Sequence, residues 1–329
     1  MGKVGGKMSN EKKPIFRLPV EFYTFIVLIC LLAVFSIASN YRFLSYENLR
    51  ALGRLLPDLG IVALGVAMLM IAGEFDLSIS SQIPLCSFIM IQLLKLGLGE
   101  VPSFFVTLGV GAILGLINAM ITIKGRIPSF ITTLGTMLLW RGVLYVWSGM
   151  MPIALRPYIP ERSIFEGILV SDIFGVPVQI VWFAGIALVL GFILHRHKFG
   201  NWIYATGDNE AAARAMGVNT TLTKTICFMI VGTLCGFVAI LQLYRIESFA
   251  ATQGIGFEFK AIAACVLGGI SLTGGVGSMI GAVIGILTMQ TIDTGLILAG
   301  VPVFGVTTFI GLVIIVFSLI ATAAQRRTR

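Results

Sequence analysis

Two carboxylates interrupt an otherwise apolar stretch, Glu74 and Asp76 in Gly73-Glu74-Phe75-Asp76-Leu77-Ser78. An ionisable group among membrane-length apolar segments is expensive to place, and such groups commonly serve function. The pair is too closely spaced and too isolated to argue for acid–base catalysis. Two roles stay open. Asp76, Ser78 or Ser80 caps the helix that follows, taking up its free amide donors. Alternatively Glu74, Asp76 and Ser78 line a path, where a desolvated carboxylate is a strong acceptor for a hydroxylated solute.

A second chemistry-bearing stretch runs from Gly254 to Gly281. It is apolar enough for a membrane, yet Gly268, Gly269, Gly274, Gly275, Gly277 and Gly281 interrupt it. Glycine inside a helix costs about 1 kcal/mol relative to alanine, so a plain anchor has no use for six. This density suits close helix contact or a helix that breaks and restarts within the bilayer. Gly268-Gly269-Ile270-Ser271-Leu272-Thr273 also echoes residues 73–78: glycine, any residue, apolar, polar, leucine, hydroxyl. Either two glycine turns coincide, or Gly-broken segments in two halves mark one path. Gly268, Gly269, Ser271, Gly274 and Gly275 then join Glu74, Asp76 and Ser78 as pathway candidates.

Other chemistry is absent. No Gly-x-x-x-x-Gly-Lys-Ser/Thr loop occurs, so the chain is not expected to hydrolyse nucleotide. No Ser/His/Asp arrangement is evident. His195 and His197 have no third ligand nearby, so interface contact is expected of them rather than metal binding. The cysteines Cys30, Cys86, Cys227, Cys235 and Cys265 lie in apolar segments without ligand spacing and read as small hydrophobes.

The elements that position these groups are membrane helices. Hydrophobic residues make up 57% of the 329 residues and charged residues 12%, about half the charged share of soluble domains. The net charge of +8 does not point to nucleic acid, because the basic residues sit at the ends of apolar segments as topology signals do. Spans are expected at about 20–39, 55–72, 80–98, 104–123, 128–147, 178–194, 225–244, 259–272, 276–292 and 304–321. The fold class is therefore an all-α membrane protein of about ten helices, with one transmembrane domain over 20–321 and basic tails at 1–19 and 322–329. The apolar run after the first tail is long for a signal peptide, so an uncleaved anchor is expected. Positive charge at 1–19, 124–126, 195–224 and 326–329 places both termini in the cytoplasm. Arg42, Arg50 and Arg54 fit this map poorly, since they fall in an outside loop.

Between two spans lies the polar segment 195–224. Asp208 or Asn209 can cap a short helix from residue 210 to 216, which Gly217 ends. Its alanines, Ala211, Ala212 and Ala213, give it a smooth face. It reads as either a solvated amphipathic turn or a docking helix for a cytoplasmic partner.

Four segments together resemble one family, the inner-membrane permease subunits of bacterial ABC importers of the ribose/xylose/arabinose type. Gly73-Glu74-Phe75-Asp76-Leu77-Ser78-Ile79-Ser80-Ser81 is similar to the family's Gly-Gly-Ile-Asp-Leu-Ser-Val-Gly-Ser. Residues 207–218 resemble its coupling loop, and the stretch from Gly254 to Gly277 also fits. So does Lys124-Gly125-Arg126-Ile127-Pro128-Ser129-Phe130-Ile131-Thr132-Thr133-Leu134-Gly135, with Arg141-Gly142 after it. The resemblance covers about residues 20–320. This chain departs from the pattern at Glu74, where the family has glycine, and at Ser80.

The resemblance implies a permease fold that carries a monosaccharide or sugar alcohol across the inner membrane. It implies a second permease subunit, identical or not, a cytoplasmic ATPase and an extracytoplasmic solute-binding protein. Asp208, Asn209, Glu210, Ala211, Ala212, Arg214 and Gly217 would seat on the ATPase. The chain itself would hold no cofactor and no metal, ATP and magnesium belonging to the ATPase, and would not be an enzyme. Relatives that carry a nucleoside, amino acid or signalling molecule leave the solute open. An ATP-independent secondary transporter is the alternative, and a membrane scaffold or receptor a third class.

Overall fold

The computed structural model describes residues 20–302 and, beyond them, 305, 306, 308, 309, 311, 312 and 315. Both basic tails lie outside the described residues, as does most of the expected tenth span. Twelve α-helices, two three-residue 3-10 helices and four two-residue strands make up the regular structure of the continuous part.

Long apolar runs become long helices, because only a helix satisfies its own backbone in lipid. They are α1 (Val20–Ala38), α2 (Tyr46–Ile71), α4 (Glu100–Gly125), α5 (Ser129–Ser148), α7 (Val178–Arg196), α10 (Thr220–Ile246) and α12 (Met279–Leu298). Each is long and apolar enough to cross a membrane. α3 (Ile79–Lys95) and α11 (Phe257–Leu267) are shorter. At 1.5 Å per residue α11 rises only about 17 Å, roughly half a bilayer core. The remaining helices are α6 (Ile164–Leu169), α8 (Lys198–Asp208) and α9 (Glu210–Ala215).

α2 and α10 form the centre of the bundle and are buried along most of their length. α1, α4, α5 and α7 surround them and expose large apolar side chains such as Val34, Phe105, Leu138 and Phe192. α4 and α10 meet through small residues. A Cβ on Gly111 would stand 2.2 Å from the Gly232 carbonyl oxygen, and one on Gly115 would stand 2.2 Å from that of Phe228. Gly111 and Gly115, like Gly232 and Gly236, are four apart, the spacing that lets membrane helices approach backbone to backbone.

The helix ends sort into two sets. At one end Phe75 N donates to Ser129 Oγ at 3.0 Å. There the Tyr204 hydroxyl also donates to the Gly277 carbonyl at 2.8 Å. At the other end β1 (Ile153–Ala154) pairs with β4 (Ser248–Phe249), and β2 (Asp172–Ile173) pairs with β3 (Val176–Pro177).

Three sequence expectations need correction here. α2 begins at Tyr46, not near residue 55, and takes in Arg50 and Arg54. Both arginines bond Asp172 of the 149–177 loop, Arg54 at 2.6 Å. That explains positive charge at an end where topology alone disfavours it. The Arg50 hydrogen bond is the leading cause that holds the Asp172 carboxyl below its usual range. Second, α10 begins at Thr220 rather than near 225, so it contains Lys224. Third, the span expected over 259–272 is helical only from Phe257 to Leu267.

Candidate functional site

α2 and α11 stop in the same way. At the end of α2, Gly73 adopts φ +87°, its amide donates to Met70 O, and Glu74 N reaches back to Leu69 O. At the end of α11, Gly269 adopts φ +84°, with Gly269 N bonded to Val266 O and Ile270 N to Cys265 O. Both are glycine-terminated helix ends with paired backward bonds, where a left-handed residue is required. The sequence echo is therefore shared structure, but its register is off by one. Gly73 corresponds to Gly269, not Gly268.

The two stops converge on a third segment. Gly275 N donates to Ile71 O at 2.9 Å. Gly207, near the end of α8, packs into the same point. A Cβ there would lie 1.8 Å from Ile71 O and 2.6 Å from Gly275 N. A Cβ on Gly274 would in turn meet Gly73 Cα at 2.9 Å, and one on Gly275 would meet Asp208 Cα at 2.7 Å. Three backbones thus touch at a junction where side chains do not fit. Gly268 does different work, because its Cβ would strike the Gly281 carbonyl oxygen on α12 at 2.2 Å.

Beside this junction stands α9. Asn209, not Asp208, caps it, accepting the Ala212 amide at 3.0 Å. Gly217 follows with φ +86°. Ala213 is buried against the bundle, while Ala211, Ala212, Arg214, Met216 and Gly217 are exposed. Glu210 accepts from Arg214 at 2.5 Å and from the Thr220 hydroxyl at 3.2 Å.

Lys224 joins the two parts. Its ammonium lies 2.6 Å from Glu74 and 2.7 Å from Glu210. The Lys224 and Glu74 side chains are each 12% exposed. Burial pushes the Glu210 carboxyl up, but the Lys224 hydrogen bond and charge, with help from Thr220 and Arg214, prevail and hold it below its usual range. In the sequence Lys224 only closes the polar segment 195–224. Glu74 drew notice, but its partner 150 residues away was not visible.

Asp76 lies deeper and is fully buried. It accepts from Ser78 N at 2.8 Å, Ser78 Oγ at 2.6 Å, Gln82 Nε2 at 3.3 Å and Asn118 Nδ2 at 3.2 Å. Four donors on a single carboxylate make a polar knot that ties the start of α3 to α4. Asp76 takes the Ser78 amide just ahead of α3, while Ser78 makes no side-chain cap bond. Gln82 and Asn118 were not foreseen, although Gln82 lies six residues from Asp76 on the following helix. Ser271 Oγ lies 2.9 Å from Thr273 Oγ1 within the matching loop.

The histidines take structural posts. His195 Nε2 accepts the Met279 amide at 3.1 Å, where α12 begins, and His197 Nδ1 accepts the Phe199 amide at 3.2 Å. No grouping of histidine, cysteine and acidic residues fit for a metal occurs among the described residues.

Comparison with known proteins shows which family this bundle belongs to. The family described as branched-chain amino acid transport system, permease component, matches residues 49–319. This chain belongs to that family. The permease is 32% identical over 314 residues to the xylose/arabinose import permease protein of Sulfolobus acidocaldarius, covering 93% of this chain and 86% of that one. It is 33% identical over 283 residues to the ribose import permease protein of Escherichia coli K12, covering 86% and 87%. It is 32% identical over 301 residues to the autoinducer 2 import system permease protein of Salmonella typhimurium, covering 90% and 83%. No solved structure matches the permease. It is a multi-pass membrane protein and a translocation subunit rather than an enzyme.

Proposed function

We propose that this permease moves a small neutral solute, of the monosaccharide or sugar-alcohol class, inward across the cytoplasmic membrane, driven by a separate ATPase. The observation that carries the reading is the Glu74–Lys224–Glu210 link between α9 and the loop after α2. An exposed helix tied by charge to the central bundle can pass the motion of a partner bound on it to the helix ends inside. The ATPase seats on the exposed face of α9, through Asp208, Asn209, Glu210, Ala211, Ala212, Arg214 and Gly217. Both termini and α9 face the cytoplasm, in keeping with the basic residues at that end.

A second permease subunit completes the path, and a solute-binding protein delivers the solute to the opposite end. ATP binding and hydrolysis move α9, and Lys224 passes that motion to Glu74. The ends of α2 and α11, locked together at Gly207 and Gly275, move with it. The cycle then shifts a population between outward- and inward-open states, because the ATPase binds the two differently. The test is uptake of a sugar panel by the complete complex in vesicles, with and without ATP. ATP-dependent uptake of one sugar supports the reading. ATP-independent uptake driven by an ion gradient replaces it with secondary transport.

A further inference from the structure

At the end of the bundle away from α9, a cavity of about 250 Å³ opens between α2, α10, α11 and α12. Gln242, on its wall, stands some 30 Å along α10 from the Thr220 end beside α9, at 1.5 Å per residue. The lining is unlike the apolar surfaces around it. Arg245 pairs with Asp58, and Lys260 pairs with Asp293 at 2.8 Å. Gln242, Gln253 and Gln290 add three carboxamides.

The bonding is incomplete. Asp58 is 3% exposed and Gln242 4%. Asp58 Oδ1, Arg245 Nε, Gln242 Oε1 and Gln253 Oε1 nevertheless lack a hydrogen-bond partner among the described residues. Buried polar atoms are normally satisfied, by protein or by ordered water. The four atoms are themselves covered, but the residues that carry them line one cavity, and a small turn of these side chains would present unused donors and acceptors to it.

The geometry points to this cavity as a binding site for a neutral, polyhydroxylated solute of monosaccharide size. This rests on the import reading and deepens it, since it names where the permease itself holds the solute. The formal charges of the lining cancel, two carboxylates against one guanidinium and one ammonium, so an anion or a cation would face a like charge. A hydroxyl both donates and accepts. It can therefore give to Asp58 or a glutamine oxygen while it takes from Arg245. The volume falls just below the roughly 300 Å³ at which pockets for larger organic ligands begin. Phe257 supplies an apolar wall for the carbon face of such a ring.

The test uses the assembled complex in lipid nanodiscs, where both faces meet solvent. Gln253→Cys is introduced together with Cys30→Ser, and its labelling by a hydrophilic maleimide is timed. The thiol is expected to label, D-ribose or D-xylose to slow the reaction, and D-ribose 5-phosphate to leave it unchanged. Gln242→Leu should raise the sugar concentration needed for protection about tenfold, as loss of one hydrogen bond does. Gln290→Leu, on a different helix, should shift it the same way and covers the case in which Gln242→Leu fails to assemble. An unlabelled thiol, no protection by either sugar, equal protection by the sugar phosphate, or protection unchanged in the assembled variants overturns the site. Labelling needs no ATP. Protection without ATP-driven uptake therefore overturns the import reading alone, and uptake without protection overturns the cavity alone.

Discussion

The ammonium of Lys224 lies 2.6 Å from the carboxylate of Glu74, although 150 residues separate them in the chain. The same ammonium holds Glu210 at 2.7 Å. One cation on α10 therefore keeps two carboxylates together, one at the base of α9 and one at the stop of α2. Without it they would face each other as like charges. The Lys224–Glu74 side is largely buried and the Glu210 side more open, so solvent screens the link only in part.

Lys224→Met is expected to lower the solute moved per ATP hydrolysed while ATPase activity persists. Glu74→Gln should act in the same direction but less, since Lys224 keeps Glu210. If the link works as a unit, the double variant will not be additive, with a coupling term of roughly 0.5–3 kcal/mol in thermal unfolding. Additive effects, with normal coupling in Lys224→Met, would remove the link from the mechanism.

Gly207→Ala should be among the most damaging small changes in the permease. Its methyl would stand 1.8 Å from Ile71 O, against backbone that cannot turn aside. Overpacking typically costs about 1–3 kcal/mol, and backbone contact puts this site at the upper end. Gly135→Ala on α5 is the control, since a Cβ there meets nothing within 4 Å. It should be neutral or stabilise by up to about 1 kcal/mol through helix propensity. Equal melting temperatures for the two variants would discard the junction as a constraint.

Ala212 sits on the open side of α9, with Ala213 turned to the bundle. Ala212→Trp should insert and fold normally, because nothing among the described residues covers that face. It should nevertheless abolish ATP-driven uptake, since an indole cannot enter a fitted helix seat. Copurification with the ATPase, followed by uptake measurement, checks this. Full coupled uptake would show that α9 is not the seat.

Much of this was legible in the sequence because bilayer burial writes itself in composition. The nine spans expected before residue 300 all have a helix in place, and residue type alone brackets α9 between Asp208 or Asn209 and Gly217, leaving the structure to choose Asn209 as the cap. What was lost depended on partners far away. Arg50 and Arg54 look like loop residues until Asp172 comes beside them. Lys224 looks like a topology charge until Glu74 arrives. Gly207 reads as one more loop glycine, because its constraint is the backbone of Ile71 and Gly275. The echo between residues 73–78 and 268–273 was matched on letters, which pair Gly73 with Gly268. Backbone conformation pairs Gly73 with Gly269, and only φ distinguishes them. The spacing of Gly111 with Gly115 and of Gly232 with Gly236 was open to inspection and marks both helices for close approach, though it does not name the partner.

Asp76 separates structural support from a place on the path. Four donors point at its two oxygens, so Asp76→Leu would strand the Ser78 amide and hydroxyl together with Gln82 and Asn118. Stranding a buried donor costs about 1–3 kcal/mol, so this variant should assemble poorly. Asp76→Asn is gentler. Asn118 Oδ1 and Gln82 Oε1 have no partner among the described residues, and either amide can turn to accept from the new nitrogen. Near-normal thermal stability is therefore expected for Asp76→Asn. With the framework intact, uptake reads the role directly. Uptake close to that of the unaltered permease makes Asp76 a structural knot between α3 and α4. A loss of tenfold or more, about 1.4 kcal/mol in a rate, at unchanged stability places the carboxylate itself on the solute's way.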